Sequence, residues 1–111
     1  MKLTISNQMN GNYISLNRDF KNALQLTDND QLEINFDVEK KFIEFRKTHK
    51  GFKYKMNKGI VKIYNTKLVK TVVKYFELTG NKWISDKSVT FFDHETKVIR
   101  FRINGGKNNG K

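Results

Sequence analysis

The chain has 111 residues, of which 22 are basic and 11 acidic, so its formal net charge is +11, and it contains no cysteine. The lack of cysteine excludes disulfides and thiolate metal sites, and no apolar run approaches the roughly 20 residues of a membrane span. We therefore expect a soluble cytoplasmic protein without a cofactor. A charge this high in so short a chain points to a polyanionic partner.

The first 46 residues predict two β-hairpins around a short helix. The stretches LTI and YISL alternate apolar and polar residues on either side of an Asn10-Gly11 turn, which is a strong hairpin signal. Next, RDFKNALQL places Phe20, Ala23 and Leu24 at helical spacing. The segment QLEINFDVEKKFIEFR then alternates around a second turn, which predicts a second hairpin.

Residues 51–103 predict the same order of elements with a longer helix. FKYKM and VKI alternate around an Asn-Lys-Gly turn at 57–59, and the last strands are predicted over 88–92 and 97–103. Between them, apolar residues at helical spacing predict a helix over 66–78. Gly80 follows it and is expected to provide the left-handed stop.

One eleven-residue phrase makes the repeat clear. FDVEKKFIEFR at 36–46 returns as FDHETKVIRFR at 92–102, with seven of the eleven positions identical. We therefore predict a first unit over 1–46, a diverged basic second unit over 47–103 and a flexible tail over 104–111. The fold class is mainly β with short helices (α+β), and because a 50-residue unit is marginal alone, the two units should share one core.

The charge is distributed unevenly between the two units. Residues 1–46 carry six basic and seven acidic side chains, whereas residues 47–111 carry sixteen basic and four acidic ones. Charge that served solubility alone would have no reason to gather in one copy. We therefore expect the polyanion-binding surface to lie on the second unit.

The first unit resembles the AbrB-like (SpoVT-AbrB, swapped-hairpin) DNA-binding family in the order LTI, NG, YISLN, RDFKNALQL, TDND and QLEINFDVEKKFIEFR. Asn17 stands where the family usually has proline, and Gln25 where it usually has glycine. Because family modules usually dimerise by interleaving hairpins, the resemblance implies that tandem β-β-α-β-β units form a swapped-hairpin barrel, as an intrachain pseudo-dimer or in a homodimer. It also implies a transcriptional regulator that binds duplex DNA.

The candidate DNA-binding residues are basic side chains that strand alternation or helical spacing places outside the core. In the second unit these are Lys53, Lys55, Lys58, Lys62, Lys67, Lys70, Lys74, Arg100 and Arg102. In the first unit the resemblance implies the strand–helix junction, with Arg18, Lys21 and Asn22. Since the chain has 18 lysines and four arginines, contact with phosphates is expected to outweigh the reading of bases.

Two other functions remain open. Val89 and Phe91 are predicted to face outward, which suits a protein-interaction module, either antitoxin-like or an inhibitor of a host protein from a mobile element. Exposed aromatics would instead suit RNA or single-strand binding, although packing in the core explains most of them more simply. The aromatic candidates are Tyr75, Phe76, Trp83, Phe91 and Phe92.

No pattern in the sequence supports an enzyme. Asp93-His94-Glu95 is a short acidic run, but it falls in a predicted hairpin turn whose counterpart in the first unit contains a valine. No glycine-rich phosphate loop, Ser-His-Asp set or metal-ligand spacing accompanies it. We therefore predict neither a catalytic nor a metal site.

Overall fold

A computed structural model describes residues 1–9, 11–85 and 89–103, except for the side chains of Val89 and Thr90. This part of the chain forms nine strands and two short helices. Asn10 of the predicted first turn and the predicted tail at 104–111 lie outside the described residues. In chain order the elements are β1 Leu3–Gln8, β2 Gly11–Leu16, α1 Arg18–Leu24, β3 Gln31–Asp37, β4 Phe42–Thr48, β5 Lys55–Asn57, β6 Ile60–Ile63, α2 Thr66–Tyr75, β7 Lys82–Ser85, β8 Val89–Asp93 and β9 Val98–Arg102.

The strands pair into two antiparallel sheets. The five-stranded sheet has the order β5-β6-β2-β1-β7, and the four-stranded sheet has the order β3-β4-β9-β8. The predicted class, mainly β with short helices, is confirmed. The closed barrel that the resemblance implies is absent from the described residues, because their strands remain in two separate sheets.

The two predicted units meet through equivalent strands in both sheets. In the five-stranded sheet β2 pairs with β6, and Ser15 lies opposite Lys62. In the four-stranded sheet β4 pairs with β9, and Glu44 lies opposite Arg100. In both pairings, exchanging each residue for its counterpart in the other unit gives the same set of paired positions. Antiparallel pairing of equivalent strands is the relation that a two-fold axis generates.

The inner faces of the two sheets share one core. Phe20 of α1 stacks on Phe101 of β9 with 5.2 Å between ring centroids, and it meets Phe45 of β4 edge-on at 5.9 Å. All three rings are fully buried, and large aromatic side chains dominate the energetics of such cores. The second helix adds the buried residues Leu68, Val69 and Val72. Side chains from both predicted units thus contribute to a single apolar interior.

The helix ends depart from the predictions in informative ways. The residue after α1, Gln25, has a left-handed backbone with φ 53°, and the next N–H, that of Leu26, donates to the carbonyl of Lys21 at 3.0 Å. Helices often end at a left-handed residue of this kind, which is usually glycine; here the residue is glutamine. The helix α2 is shorter than predicted, because Glu77 takes the left-handed conformation with φ 52°. The predicted stop at Gly80 is therefore wrong.

Two further segments differ from the sequence prediction. Phe52 does not extend β5. It exchanges two backbone hydrogen bonds, at 2.7 and 3.0 Å, with Leu32, which is a residue of β3. The strand β7 was not predicted, and it pairs with the edge of β1 so that Trp83 lies opposite Ile5. Neither described helix is long and apolar enough to cross a membrane.

Candidate nucleic-acid interface

A tight turn brings basic residues of both units together. Lys58 and Gly59 have φ of 55° and 81° and separate the paired residues Asn57 and Ile60. Two consecutive left-handed residues are typical of the two-residue type I′ turn, in which glycine avoids strain. The Arg18 guanidinium of α1 donates to the Lys58 carbonyl at 2.8 Å. Arg18, from the first unit, is therefore held at the tip of the second unit's first hairpin.

The five strands of the five-stranded sheet carry lysines and no carboxylate. Lys55 lies directly opposite Lys62, and like charges that face each other across an antiparallel pair destabilise a sheet. We call the outer surface of this sheet, with the adjoining turn, the basic face. Its residues are Tyr13, Arg18, Lys53, Lys55, Lys58, Lys62, Tyr64 and Lys82.

Two tyrosines are interleaved with the lysines of the basic face. The Lys62 Nζ lies 4.7 Å from the ring centroid of Tyr13, a cation–π distance. Tyr13 and Tyr64 have 5.8 Å between centroids with their planes tilted by 57°. Tyr64 nevertheless exposes 57% of its surface. A large aromatic ring thus stands beside paired cations, at the end of β6.

Two shallow clefts lie on either side of the same three side chains, those of Lys55, Lys62 and Tyr64, which we call the ridge. The first, of about 310 Å³, extends towards the turn at Lys58, and the second, of about 300 Å³, extends towards Lys53. Lys55, Lys62 and Tyr64 line both clefts. Each cleft therefore combines an aromatic surface with at least two ammonium groups.

Tyr54 lines the second cleft but is fixed in place. Its hydroxyl donates to the Thr27 carbonyl at 2.5 Å. Burial raises the pKa of Tyr54 to about 12, and the negative charges of Asp30 and Asp28 add to this effect. The phenol therefore stays neutral and anchors the segment before β5 to the first unit.

The lysine stripe of α2 is exposed, as predicted from helical spacing. Lys67, Lys70 and Lys74 are all accessible to solvent, and the helix start is capped by Asn65, whose Oδ1 accepts the Leu68 N–H at 2.9 Å. Lys70 donates to Asn7 Oδ1 at 2.7 Å. Among the described residues, none of these three lysines forms an ion pair with a carboxylate.

The predicted arginines at the end of the chain lie away from the basic face. Arg100 is bound to Glu44 on the four-stranded sheet, with Nη2 2.9 Å from Oε2. Its guanidinium also lies over the rings of Phe42 and Phe91, at 4.4 and 5.1 Å from their centroids. Arg102 is exposed and lines a separate cleft with Lys40 and Lys41. Of the two, Arg102 is the more exposed, whereas Arg100 is engaged by Glu44.

The first-unit candidates divide in a similar way. Arg18 joins the basic face through the turn at Lys58. Lys21 and Asn22 lie in the last turn of α1, where their carbonyls accept the hydrogen bonds that close the helix. Asn22 is exposed and Lys21 is half-buried. No contact described in the structure connects either side chain to the lysines of β5 and β6.

The structure describes one side chain of the apolar pair predicted for protein contact. Phe91 exposes 43% of its surface but lies beside the Arg100 guanidinium. The register shifts between Val89 and Phe91, so that Val89 pairs with the buried Phe101 while Phe91 pairs with Arg100. The side chain of Val89 lies outside the described residues. The outward-facing pair of Val89 and Phe91 therefore stays a prediction, with Phe91 exposed as expected.

Most aromatic residues named for base stacking serve the core instead. Trp83 and Phe76 are buried, and Phe92 is half-buried. Tyr75 is partly exposed but packs edge-on against Phe36 at 5.5 Å. Tyr13, Tyr64 and Lys82 were not among the residues predicted to bind. Their outward positions follow from alternation with Ile14, Ile63 and Trp83, which are buried.

No protein-family model, curated protein or solved structure matches the chain.

Proposed function

We propose that the protein binds nucleic acid and that the basic face holds the phosphates. The observation that carries this proposal is the direct pairing of Lys55 with Lys62 in a sheet whose strands contain no carboxylate. Such a pair costs stability in isolation, and that cost is relieved when an anion lies over it. A phosphate backbone supplies closely spaced anions and dominates the affinity of most nucleic-acid-binding proteins.

The residue types favour contact with phosphates over recognition of base edges. The lysines Lys53, Lys55 and Lys62 are point charges on flexible stems, which suit phosphate oxygens. Arg18, the only arginine at the face, donates to the Lys58 carbonyl and so stabilises the turn. Lys67 begins the α2 stripe three residues beyond Tyr64 and would extend the track of positive charge.

The AbrB-like relationship forms part of the same proposal. Pairing of β2 with β6 and of β4 with β9 supports two related units that interleave within one chain as a pseudo-dimer. In that reading the protein is a cytoplasmic transcriptional regulator, and duplex DNA is among its ligands. Since the basic face includes Tyr13 and Arg18, both units would contribute to binding, and not the second alone.

Titration of a labelled duplex over a range of salt concentrations tests the proposal. If about six phosphates are engaged, the logarithm of the affinity should fall with the logarithm of the salt concentration with a slope near −5. The double variant Lys55→Gln, Lys62→Gln should bind more weakly and show a shallower slope. The matched control is Lys40→Gln, Arg102→Gln, which removes the same charge from the cleft on the four-stranded sheet.

The two variants separate the basic face from charge in general. Weaker binding only in the Lys55, Lys62 variant would support the assigned face. Equal losses in both variants would overturn it, because the effect would then follow net charge. Retention of an acidic protein, with no binding of nucleic acid at about 0.1 M salt, would favour the protein-interaction alternative.

A further inference from the structure

We propose that the basic face prefers single-stranded nucleic acid, with an unpaired base stacked on Tyr64. This inference rests on the proposed function, because it names the form of nucleic acid that the same face would hold most tightly. It also assigns Tyr64 a role that charge alone does not provide.

The position of Tyr64 carries the inference. Tyr64 is the most exposed tyrosine of the described residues, and its ring contacts the ring of Tyr13 with 5.8 Å between centroids. Tyr13 in turn lies under the Lys62 ammonium at 4.7 Å. A ring supported on one side and accessible elsewhere can accept a base with little loss of its own conformational freedom.

The flanking clefts place cations where the backbone of a stacked nucleotide would pass. Both clefts contain Lys55, Lys62 and Tyr64. One adds the turn residue Lys58, and the other adds Lys53. A strand crossing the ridge at Tyr64 would therefore meet ammonium groups on each side of the aromatic ring. Basic grooves with interspersed aromatic residues are the usual means of holding single strands.

A duplex cannot use the tyrosine in this way. Its bases are already stacked on one another, and they present only their edges in the grooves. The lysines would contact the phosphates of either form, so they give affinity without selecting between forms. The stacking contribution is available only to unpaired bases, and sheet surfaces with exposed aromatics use it to bind single strands.

The test compares a labelled oligothymidylate of about 12 nucleotides with a duplex of the same length. We expect the wild-type protein to bind the single strand at least about tenfold more tightly at equal salt. Tyr64→Ala should weaken single-strand binding about tenfold, a larger loss than it causes in duplex binding. Tyr64→Phe, which keeps the ring, should bind as the wild type does. Thermal unfolding of each variant verifies that it is folded.

Tyr75→Ala serves as the matched control, because Tyr75 is a partly exposed tyrosine on α2 that packs against Phe36. It should not change the ratio of single-strand to duplex affinity. An oligouridylate of equal length distinguishes RNA from DNA. Whichever of the two oligonucleotides binds more tightly, the same loss of affinity in Tyr64→Ala supports the inference, and the tighter one identifies the ligand as DNA or RNA.

The outcomes separate this inference from the proposed function. Salt-dependent binding with equal affinity for both forms, unaffected by Tyr64→Ala, would overturn the stacking inference and leave the phosphate-binding face intact. Equal losses of single-strand and duplex binding in Tyr64→Ala would also overturn it, because the ring would then only support the sheet. Absence of binding to either form would overturn both proposals.

Discussion

Glu44 and Arg100 occupy the same position in the two copies of the eleven-residue phrase, and they face each other where β4 pairs with β9. Arg100 donates to Glu44 Oε2 through both Nη2, at 2.9 Å, and Nε, at 3.3 Å. Two identical copies would bring two glutamates or two arginines together at this point. The exchange of acid for base between the copies therefore provides an internal ion pair at the seam between the units.

Reversing one charge of this pair should destabilise the protein. The side chains of Glu44 and Arg100 are 13% and 36% exposed, so Arg100→Glu should lower the free energy of unfolding by about 1–3 kcal/mol. The exchange variant Glu44→Arg, Arg100→Glu should recover most of that loss, because it restores opposite charges. Urea denaturation measures both. If the exchange variant were no more stable than the single variant, the ion pair would not contribute to the stability of the contact between β4 and β9.

Removing one lysine from the basic face should stabilise the free protein. Lys55→Gln relieves the repulsion from Lys62 and should raise the free energy of unfolding by about 0.2–1 kcal/mol at low salt. The gain should vanish near 1 M salt, where charges are screened within about 3 Å. Denaturation of Lys55→Gln and of the control Lys40→Gln at both salt concentrations checks this. A gain that persists at high salt would point to a cause other than charge.

The helix stop at Gln25 offers a stabilising substitution. Gln25 has φ 53°, and a side chain in the left-handed region costs about 1 kcal/mol relative to glycine. Gln25→Gly should therefore raise the thermal midpoint, although greater freedom of the unfolded chain offsets part of the gain. Gln25→Ala is the control, since alanine keeps the Cβ and should show no such rise. A lower midpoint for Gln25→Gly would contradict this account.

The buried carboxylate of Asp30 should make stability depend on acid pH. Burial opposes its ionisation, but hydrogen bonds from the Thr27 N–H and hydroxyl, together with the Lys47 ammonium, outweigh burial and lower the pKa of Asp30. Because the folded state binds this proton more weakly than the unfolded state does, the stabilisation is complete well above the unfolded-state value of about 3.9. It is lost as the pH falls through the lowered folded-state pKa.

The variant Asp30→Asn isolates this contribution. It should be less stable than the wild type at neutral pH, by about 1–2 kcal/mol, because its amide oxygen lacks the negative charge that strengthens the contacts with Thr27 and Lys47. Its stability should also decline less steeply below about pH 4. Denaturant unfolding at a series of pH values measures both effects. Parallel pH profiles for the two proteins would show that another group governs acid unfolding.

Much of the strand and helix pattern could be predicted from local periodicity. Ile14 and Leu16, like Ile43 and Phe45, alternate with polar neighbours and are buried as the pattern requires. The helix α1 was predicted from the spacing of Phe20, Ala23 and Leu24. Periodicity alone did not give the pairing partner of Phe52, because a residue between two strands can join either sheet, and tertiary contact with Leu32 decides the matter.

The candidate site was predicted in part. Alternation correctly placed Lys55 and Lys62 on paired strands, outside the core. The role of Arg100 could not be read from composition, because it depends on which residue faces it across β4 and β9. Tyr64 was missed for a related reason. An aromatic residue is expected to pack in the core, and only the structure shows that Tyr64 remains accessible. Charge patterns predict a surface, whereas its aromatic partners need tertiary structure.

The segment that joins the two predicted units also pairs with the edge strand β3. Phe52 occupies backbone groups at Leu32 on the outer side of β3, and Gly51 passes so close to the Leu32 carbonyl that a Cβ would collide with it. An unpaired strand edge is a template on which further chains add and fibrils grow. The segment before β5 thus pairs the Leu32 position of this edge within the chain itself, which leaves one position fewer for an incoming strand.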